Sequence, residues 1–536
     1  MYCDNKIWVG TSGAEKVYIY PKMANRHGLI AGATGTGKTI TLKVLAESFS
    51  NLGVPVFMAD VKGDLAGMCR PGQATDALNS RIEAMNLRES GFGFDSYPTN
   101  YWDIYGEGGM RLRTTVSEMG PLLLSRIMNL SDIQTDIMTI LFKIADDEGL
   151  LLLDIKDLRA LISYISENAK DYEYIYGKMS GQSLGAIMRA VIALEAEGGE
   201  IFFGEPALSV RDWLCKDYSG KGIIQLLDCR KLILNPTLYS TFLLWLMSEL
   251  FENLPEVGDV DKPKMVFFFD EAHMLFDSAS KTLLEKIGQV VKLIRSKGVG
   301  IYFITQNPRD IPDEILAQLG NKVQHALRAY TPAEQKAAKA AAQSFRVNEE
   351  FDTYEVLTTL GTGQAIVSVL DEEGIPTVVK KCDILPPQSQ MGALDDAVRK
   401  DLIESNVLHV RYEQTVDRES AYELLEKRIL SETEAARLEK EAADAEKQSQ
   451  KDQALAEKQR AREEAAALRE AQKKEQAKER QKQKMVKSVA NSAGGTIGRE
   501  LGNTIGASIG GKFGKRLGGN VGAALGRGII GTLFKS

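Results

Sequence analysis

Cysteine is scarce in this chain of 536 residues. The five cysteines, Cys3, Cys69, Cys215, Cys229 and Cys382, are scattered without paired spacing. That excludes a disulfide framework or a zinc site as an organising principle and fits a reducing compartment. An excess of basic charge is also lacking. The net charge is −7, so nothing global draws the chain to nucleic acid or anionic lipid, and any such contact needs a local basic surface. No stretch supplies the ~20 uninterrupted apolar residues of a membrane-spanning helix. The opening "MYCDNKIWVG" has neither a basic leader segment nor a long apolar run, so no secretory leader is expected and the expected location is cytoplasmic. No cluster of metal ligands and no second catalytic constellation is evident, so a nuclease activity would have to come from a partner.

What is present is ordinary globular material. Apolar residues make up 44% of the chain, and the length leaves room for about three domains. Up to about Leu385, short apolar runs recur: "HGLIAG", "VPVFMAD", "GIIQLLD", "KMVFFFDEAH", "VGIYFITQ" and "GQAIVSVL". Each has the length of a buried strand, and helical patterns separate them, which predicts an α/β fold with a mainly parallel sheet. Between Asp60 and Asp270 lies a long insertion. Its segment from Thr115 to Glu197 carries apolar residues at helical spacing, so a helical subdomain is expected there.

From about Asp395 the composition changes. Glu423 to Lys484 is dominated by Glu, Lys, Arg, Gln and Ala, as in "KQRAREEAAALREAQKKEQAKERQKQK". Helix propensity is high, but large apolar residues at coiled-coil positions are few. A solvated helical or partly disordered arm is the plain reading. After it, glycine recurs every fourth residue from Gly494 to Gly526, with an apolar neighbour before most of them. On a helix this makes a small-residue groove beside an apolar ridge, suited to close packing. Packing against itself, the body or another subunit is favoured. Membrane-surface association and disorder are the alternatives.

The first motif that carries chemistry is a complete G-x-x-x-x-G-K-T loop: Gly32, Ala33, Thr34, Gly35, Thr36, Gly37, Lys38 and Thr39. An apolar strand precedes it and a helix pattern follows, the context a phosphate loop requires. Glycines turn the backbone tightly and aim N–H groups at phosphate oxygens, and the following helix adds its positive end. Lys38 is placed for the β- and γ-phosphates, and the Thr39 hydroxyl for magnesium. The second motif, "KMVFFFDEAHMLF", delivers Asp270 and Glu271 at a strand end. Asp270 suits the magnesium shell, and Glu271 is placed to polarise an attacking water, which makes water the intended acceptor. In "VGIYFITQNPRDIP", Gln306 ends a third strand and would face the γ-phosphate, unless it only caps the strand. The turn "DVKGD" sets Asp60 and Asp64 around Lys62 and Gly63. It reads equally as a nucleotide or substrate loop and as a polar turn.

These motifs, with "HALRAYTPAEQ" and "LGTGQAIVS" after them, resemble the HerA–FtsK superfamily of P-loop motor ATPases. More closely, "ANRHGLIAGATGTGKT", "GPLLLSRIMNL", "IADDEGLLLLDIKDLRAL" and "FFGEPAL" are similar to the bacterial HerA-like, YjgR-type helicase family. The resemblance covers roughly the first 390 residues. It implies a RecA-like core that uses ATP and magnesium, assembles as a homo-oligomeric, hexameric ring and acts on double-stranded DNA. It also implies an arginine supplied by a neighbouring subunit, for which Arg328, Arg295 and Arg309 are the candidates and Arg328 the preferred one. The division expected is 1–65 for the first part of the core and 66–220 for the helical insertion. Then come 221–390 for the second part of the core, 391–487 for the charged arm and 488–536 for the glycine-patterned tail. HerA itself carries an N-terminal β-barrel, for which the residues before Gly32 leave no room. Basic residues between Lys281 and Arg346 give the second half of the core a local positive character that suits phosphate contacts or an ordinary solvated surface. The alternatives are an ATPase that remodels or secretes protein, and an ATP-driven scaffold that recruits a nuclease or a membrane partner.

Overall fold

The apolar runs fold as strands because each is buried on both faces. The computed structural model describes residues 1–277 and 281–486. The glycine-patterned segment therefore lies outside the described residues. Among these, thirteen strands form one sheet: β1 (Tyr2–Cys3), β2 (Lys6–Ser12), β3 (Glu15–Ile19), β4 (Gly28–Ala31), β5 (Val56–Asp60), β6 (Thr99–Asp103), β7 (Met110–Arg111), β8 (Ile224–Asp228), β9 (Met265–Phe269), β10 (Val299–Thr305), β11 (Asn321–His325), β12 (Gln364–Ser368) and β13 (Lys380–Ile384). The order is β1-β2-β13-β12-β11-β4-β10-β9-β5-β8-β6-β7, with β3 on β2. From β11 to β7 neighbouring strands are parallel, whereas β12, β13, β2 and its two partners form an antiparallel wing. The mainly parallel α/β sheet expected from the sequence is present. β6 and β7, from within 66–220, complete its far edge.

Alternation along the central strands divides the core into two layers. Met265, Phe267 and Phe269 of β9 face one cluster with Phe57, Ala59, Leu29 and Ala31. Val266 and Phe268 face the other, with Val56, Met58 and Ile30. The second layer holds α1 (Lys38–Asn51) through Leu42, Leu45, Ala46 and Phe49. The first holds α2 (Pro236–Asn253) and the helices of the insertion, Val116–Ile127, Asp132–Glu148, Ile155–Glu167 and Gly181–Leu194. Thr115 and Glu118 close a capping box at the start of the first of these, and Gly120 (φ 73°, ψ 164°) interrupts it before Pro121, where only the turn geometry of glycine fits.

The chain forms two units, Met1–Ser431 and a second from Glu432 onward. Residues Ala421–Val486 form one helix. In the first unit its start is fixed by buried Asp157, which accepts hydrogen bonds from Ser420 Oγ at 2.6 Å and Tyr422 N at 2.8 Å. In the second unit its exposed surface carries i,i+4 pairs such as Lys474–Glu470 at 3.1 Å, each worth only a few tenths of a kcal/mol.

Candidate functional site at the carboxyl ends of the central strands

β4 runs directly into the loop Gly32–Gly37 and then α1. Gly37, which caps α1, has φ 114°, a left-handed conformation that costs glycine little. The first amides of α1 have no partner within the helix, because the bonding series begins with Thr41 N to Gly37 O at 3.1 Å. Those of Lys38, Thr39 and Ile40 are thus the helix's orphan donors. Lys38 Nζ donates to Gly32 O at 2.6 Å and Ala33 O at 3.1 Å. Burial lowers the pKa of Lys38, and the charges of Asp270 and Glu271 pull it back up.

β10 lies between β4 and β9, so three site residues leave neighbouring strands at one edge. Asp270 follows β9 and is held by a bond from Tyr239 Oη to its carbonyl at 2.7 Å. Burial and the adjacent Glu271 raise its carboxyl to about 6, against Lys62 and Lys38, which lower it. Glu271 has φ 47°, a left-handed backbone that a non-glycine residue holds only at a cost of about 1–3 kcal/mol. Ala272 N donates to Ile304 O at 2.9 Å, which fixes that turn. Glu271 Oε2 is buried without a hydrogen-bond partner, and His273 Nδ1 stands 3.5 Å from it.

Gln306 directly follows β10 and is exposed. The carbonyl before it, Thr305 O, accepts from Gly32 N at 3.3 Å, so Gln306 starts beside the phosphate loop. Asp310 shapes the following turn by accepting from Thr305 Oγ1 at 2.7 Å and Asn307 N at 3.1 Å. At the end of β5, Asp60 holds the "DVKGD" turn by accepting from Gly63 N at 2.7 Å and Leu65 N at 3.3 Å. Its carboxyl is raised to about 6, by burial first and by Asp64 second. Lys62 and Asp64 share with Lys38, Thr39 and Asp270 a cavity of about 320 Å³.

The three arginines are placed differently. Arg328 is exposed, three residues beyond β11. Arg309 is exposed on the turn after Gln306. Arg295 pairs with Asp259 at 3.5 Å and precedes β10, at the edge of the sheet opposite the loop. The chemistry of the cavity fits a magnesium nucleotide. One hydroxyl (Thr39) and one buried carboxylate (Asp270) are hard oxygen donors, and such an ion takes its remaining ligands from phosphates and water. Lys38 and Lys62 supply positive charge beside them.

Two contributors to the site were not legible in the motifs. Thr362, in "LGTGQ", lines the cavity, and Gly363 N donates to Thr36 O at 3.1 Å. His325 lies beneath the loop, with Nε2 at 2.8 Å from Thr41 Oγ1. Both lie in segments that carried only resemblance. The signal for His325 was a lone histidine ending a strand whose neighbour leads into the loop.

A family model described as "Helicase HerA-like C-terminal" matches residues 5–516. The DNA double-strand break repair helicase HerA of Sulfolobus acidocaldarius is 30% identical over 112 residues, 21% of this chain and 21% of that protein. Its counterpart from Sulfurisphaera tokodaii is 31% identical over 112 residues, again 21% of each. The chain therefore matches about a fifth of the length of these curated relatives. Among solved structures, VirB4 of Thermoanaerobacter pseudethanolicus aligns over 72% of this chain and 98% of that one at 15% identity, with a TM-score of 0.46. Because the family model takes in nearly the whole chain and the phosphate loop, Asp270 and Glu271 lie within it, this P-loop protein belongs to the helicase HerA-like C-terminal family.

Proposed function

We propose that the protein hydrolyses ATP with magnesium and couples that reaction to movement along double-stranded DNA, as a hexameric ring of identical subunits. The carrying observation is the convergence of Lys38, Thr39, Asp270 and Glu271 at the ends of β4 and β9. Glu271 there holds a left-handed turn and an unbonded carboxylate oxygen. Orphan amides of α1 and the Lys38 ammonium receive the phosphates. Thr39 and Asp270 hold magnesium, which when bound neutralises charge shared by the β- and γ-phosphates. Glu271 orients and polarises the attacking water. Gln306, beside Gly32, senses the γ-phosphate, and Arg328 reaches a neighbouring subunit's nucleotide.

The DNA part of this reading is supported by the relatives' name as DNA repair helicases. A second reading, an ATPase that remodels or secretes protein, is favoured by the net charge of −7. The five cysteines are all free, and no helix among the described residues is long and apolar enough to cross a membrane. The location we propose is the cytoplasm, with a nuclease or other protein as a partner of the ring. ATPase rate with and without duplex DNA separates the readings. DNA movement predicts stimulation by duplex, with binding that weakens steeply as salt rises. An ATPase indifferent to duplex favours the protein-directed reading.

A further inference from the structure

β11 does more than extend the sheet. It pairs in parallel with β4, with Gln324 opposite Ala31, and the next carbonyl, Ala326 O, accepts from Ala33 N at 2.9 Å. The end of β11 thus runs alongside the phosphate loop. His325 turns its ring into the space between them and is fully buried. Its Nδ1 lies 3.0 Å from Gln364 O, and its Nε2 lies 2.8 Å from Thr41 Oγ1.

These partners favour one tautomer, although the Thr36 carbonyl is a further acceptor beside the ring. A carbonyl only accepts, so Nδ1 carries the hydrogen and donates it to Gln364 O. Nε2 then accepts from the Thr41 hydroxyl. Burial holds the ring neutral by lowering its pKa to about 4, a direction the Lys38 charge reinforces. His325 also borders the loop at both ends. A Cβ on Gly32 would stand 2.5 Å from His325 Cβ. One on Gly37 would stand 3.3 Å from Gly363 N and 3.4 Å from His325 Cε1, the latter an ordinary van der Waals distance. The residue that borders both ends is bonded through its ring to α1 on one side and to β12 on the other.

We propose that His325 is a positioning residue of the nucleotide site, fixing the phosphate loop between α1 and β12 through Thr41 and Gln364. This rests on the ATPase reading above. His325 touches neither nucleotide nor metal. It holds the glycine loop and the first turn of α1 at the separation that phosphate binding requires. Its effect therefore falls on nucleotide affinity before turnover. Arg328, three residues on, is expected to act the other way, on turnover at saturating ATP.

The test measures ATP affinity, KM and kcat for full-length Thr41→Val, His325→Phe and the double variant, beside Lys38→Ala and thermal unfolding of each. Thr41→Val exchanges the hydroxyl for a methyl of similar size, so it carries the test if His325→Phe does not fold. Each single variant is expected to weaken ATP binding by about tenfold, with kcat changed by less than about threefold. The double variant is expected to be no worse than the worse single one, because both remove the same link. Affinity within about twofold of the parent in Thr41→Val, or strictly additive losses, overturns the proposal even if unfolding temperatures fall. A parent that binds ATP no better than Lys38→Ala overturns the ATPase reading itself, and this inference with it.

Discussion

Glu271 is the site residue with a left-handed, non-glycine backbone. A non-glycine residue with φ 47°, two residues beyond a strand, is strained, and such strain persists where surrounding contacts enforce it. One of its carboxylate oxygens, Oε2, lacks the hydrogen bond that burial ordinarily demands, with His273 Nδ1 at 3.5 Å. Both features suit a group whose partner is the attacking water. Glu271→Gln is expected to keep ATP binding and lower turnover by roughly 10²–10³-fold. Turnover near the parent's would remove Glu271 from that role. A second residue-scale expectation concerns His27. Its Nε2 stands 2.8 Å from Val291 O and its Nδ1 accepts from Ile301 N at 3.0 Å, and burial lowers its pKa to about 4. A folded pKa below the unfolded one means that the unfolded chain binds more protons, so this contribution is lost as pH falls from about 6.5 toward 4. Asp60 and Asp270, raised to about 6, act in the opposite direction over an overlapping range. The informative quantity is therefore a difference. The gap in unfolding temperature between the parent and His27→Gln is expected to narrow from pH 7 to pH 5, and a constant gap contradicts the assignment.

At the scale of elements, α1 serves as both the floor of the nucleotide cavity and an anchor for the segment after β13. Glu47, buried on α1, accepts from Gln388 N at 2.8 Å and Ser389 N at 3.0 Å, and from the Ser389 hydroxyl. One turn earlier, Lys43 Nζ donates to Gln390 O at 2.7 Å. That segment continues to Met391 and Gly392, which line the cavity. Glu47→Gln turns one acceptor toward donors and is expected to cost about 1–3 kcal/mol in denaturant unfolding; a loss below about 0.5 kcal/mol would show that the clamp is dispensable. Elements also explain what was legible in the sequence. Five of the six apolar runs are parallel strands, which must be apolar along their length when covered on both faces; the sixth, β12, is antiparallel to both neighbours but buried from Ala365 to Ser368. β11, "NKVQH", escaped the same reading because its polar residues have internal partners. Asn321 Nδ2, for example, donates to Met23 O and His27 O, both at 3.1 Å. The antiparallel wing was missed as well, since β2 and β13 lie far apart in sequence and meet only through tertiary pairing. Lys38, Thr39, Asp270 and Glu271 were legible because phosphate and magnesium chemistry dictates residue type and spacing. His325 was not, because its contribution comes from burial beneath the loop.

At the scale of the whole molecule, the central claim is that one edge of the sheet couples ATP hydrolysis to double-stranded DNA. The loop, Asp270, Glu271 and Gln306 all leave that edge, and Arg328 is exposed. The overall charge of −7 gives no global attraction to DNA, so the proposed DNA reading requires a local basic surface. A ring reading expects a particle six times the subunit mass by light scattering in the presence of ATP and magnesium, and a monomer under those conditions contradicts it. The most direct measurement of the central claim is the steady-state ATPase rate of the full-length protein with and without duplex DNA, beside Glu271→Gln. The account predicts turnover that duplex DNA stimulates and that Glu271→Gln lowers by roughly 10²–10³-fold in both conditions. A rate that duplex DNA leaves unchanged, or that survives in Glu271→Gln, would contradict it.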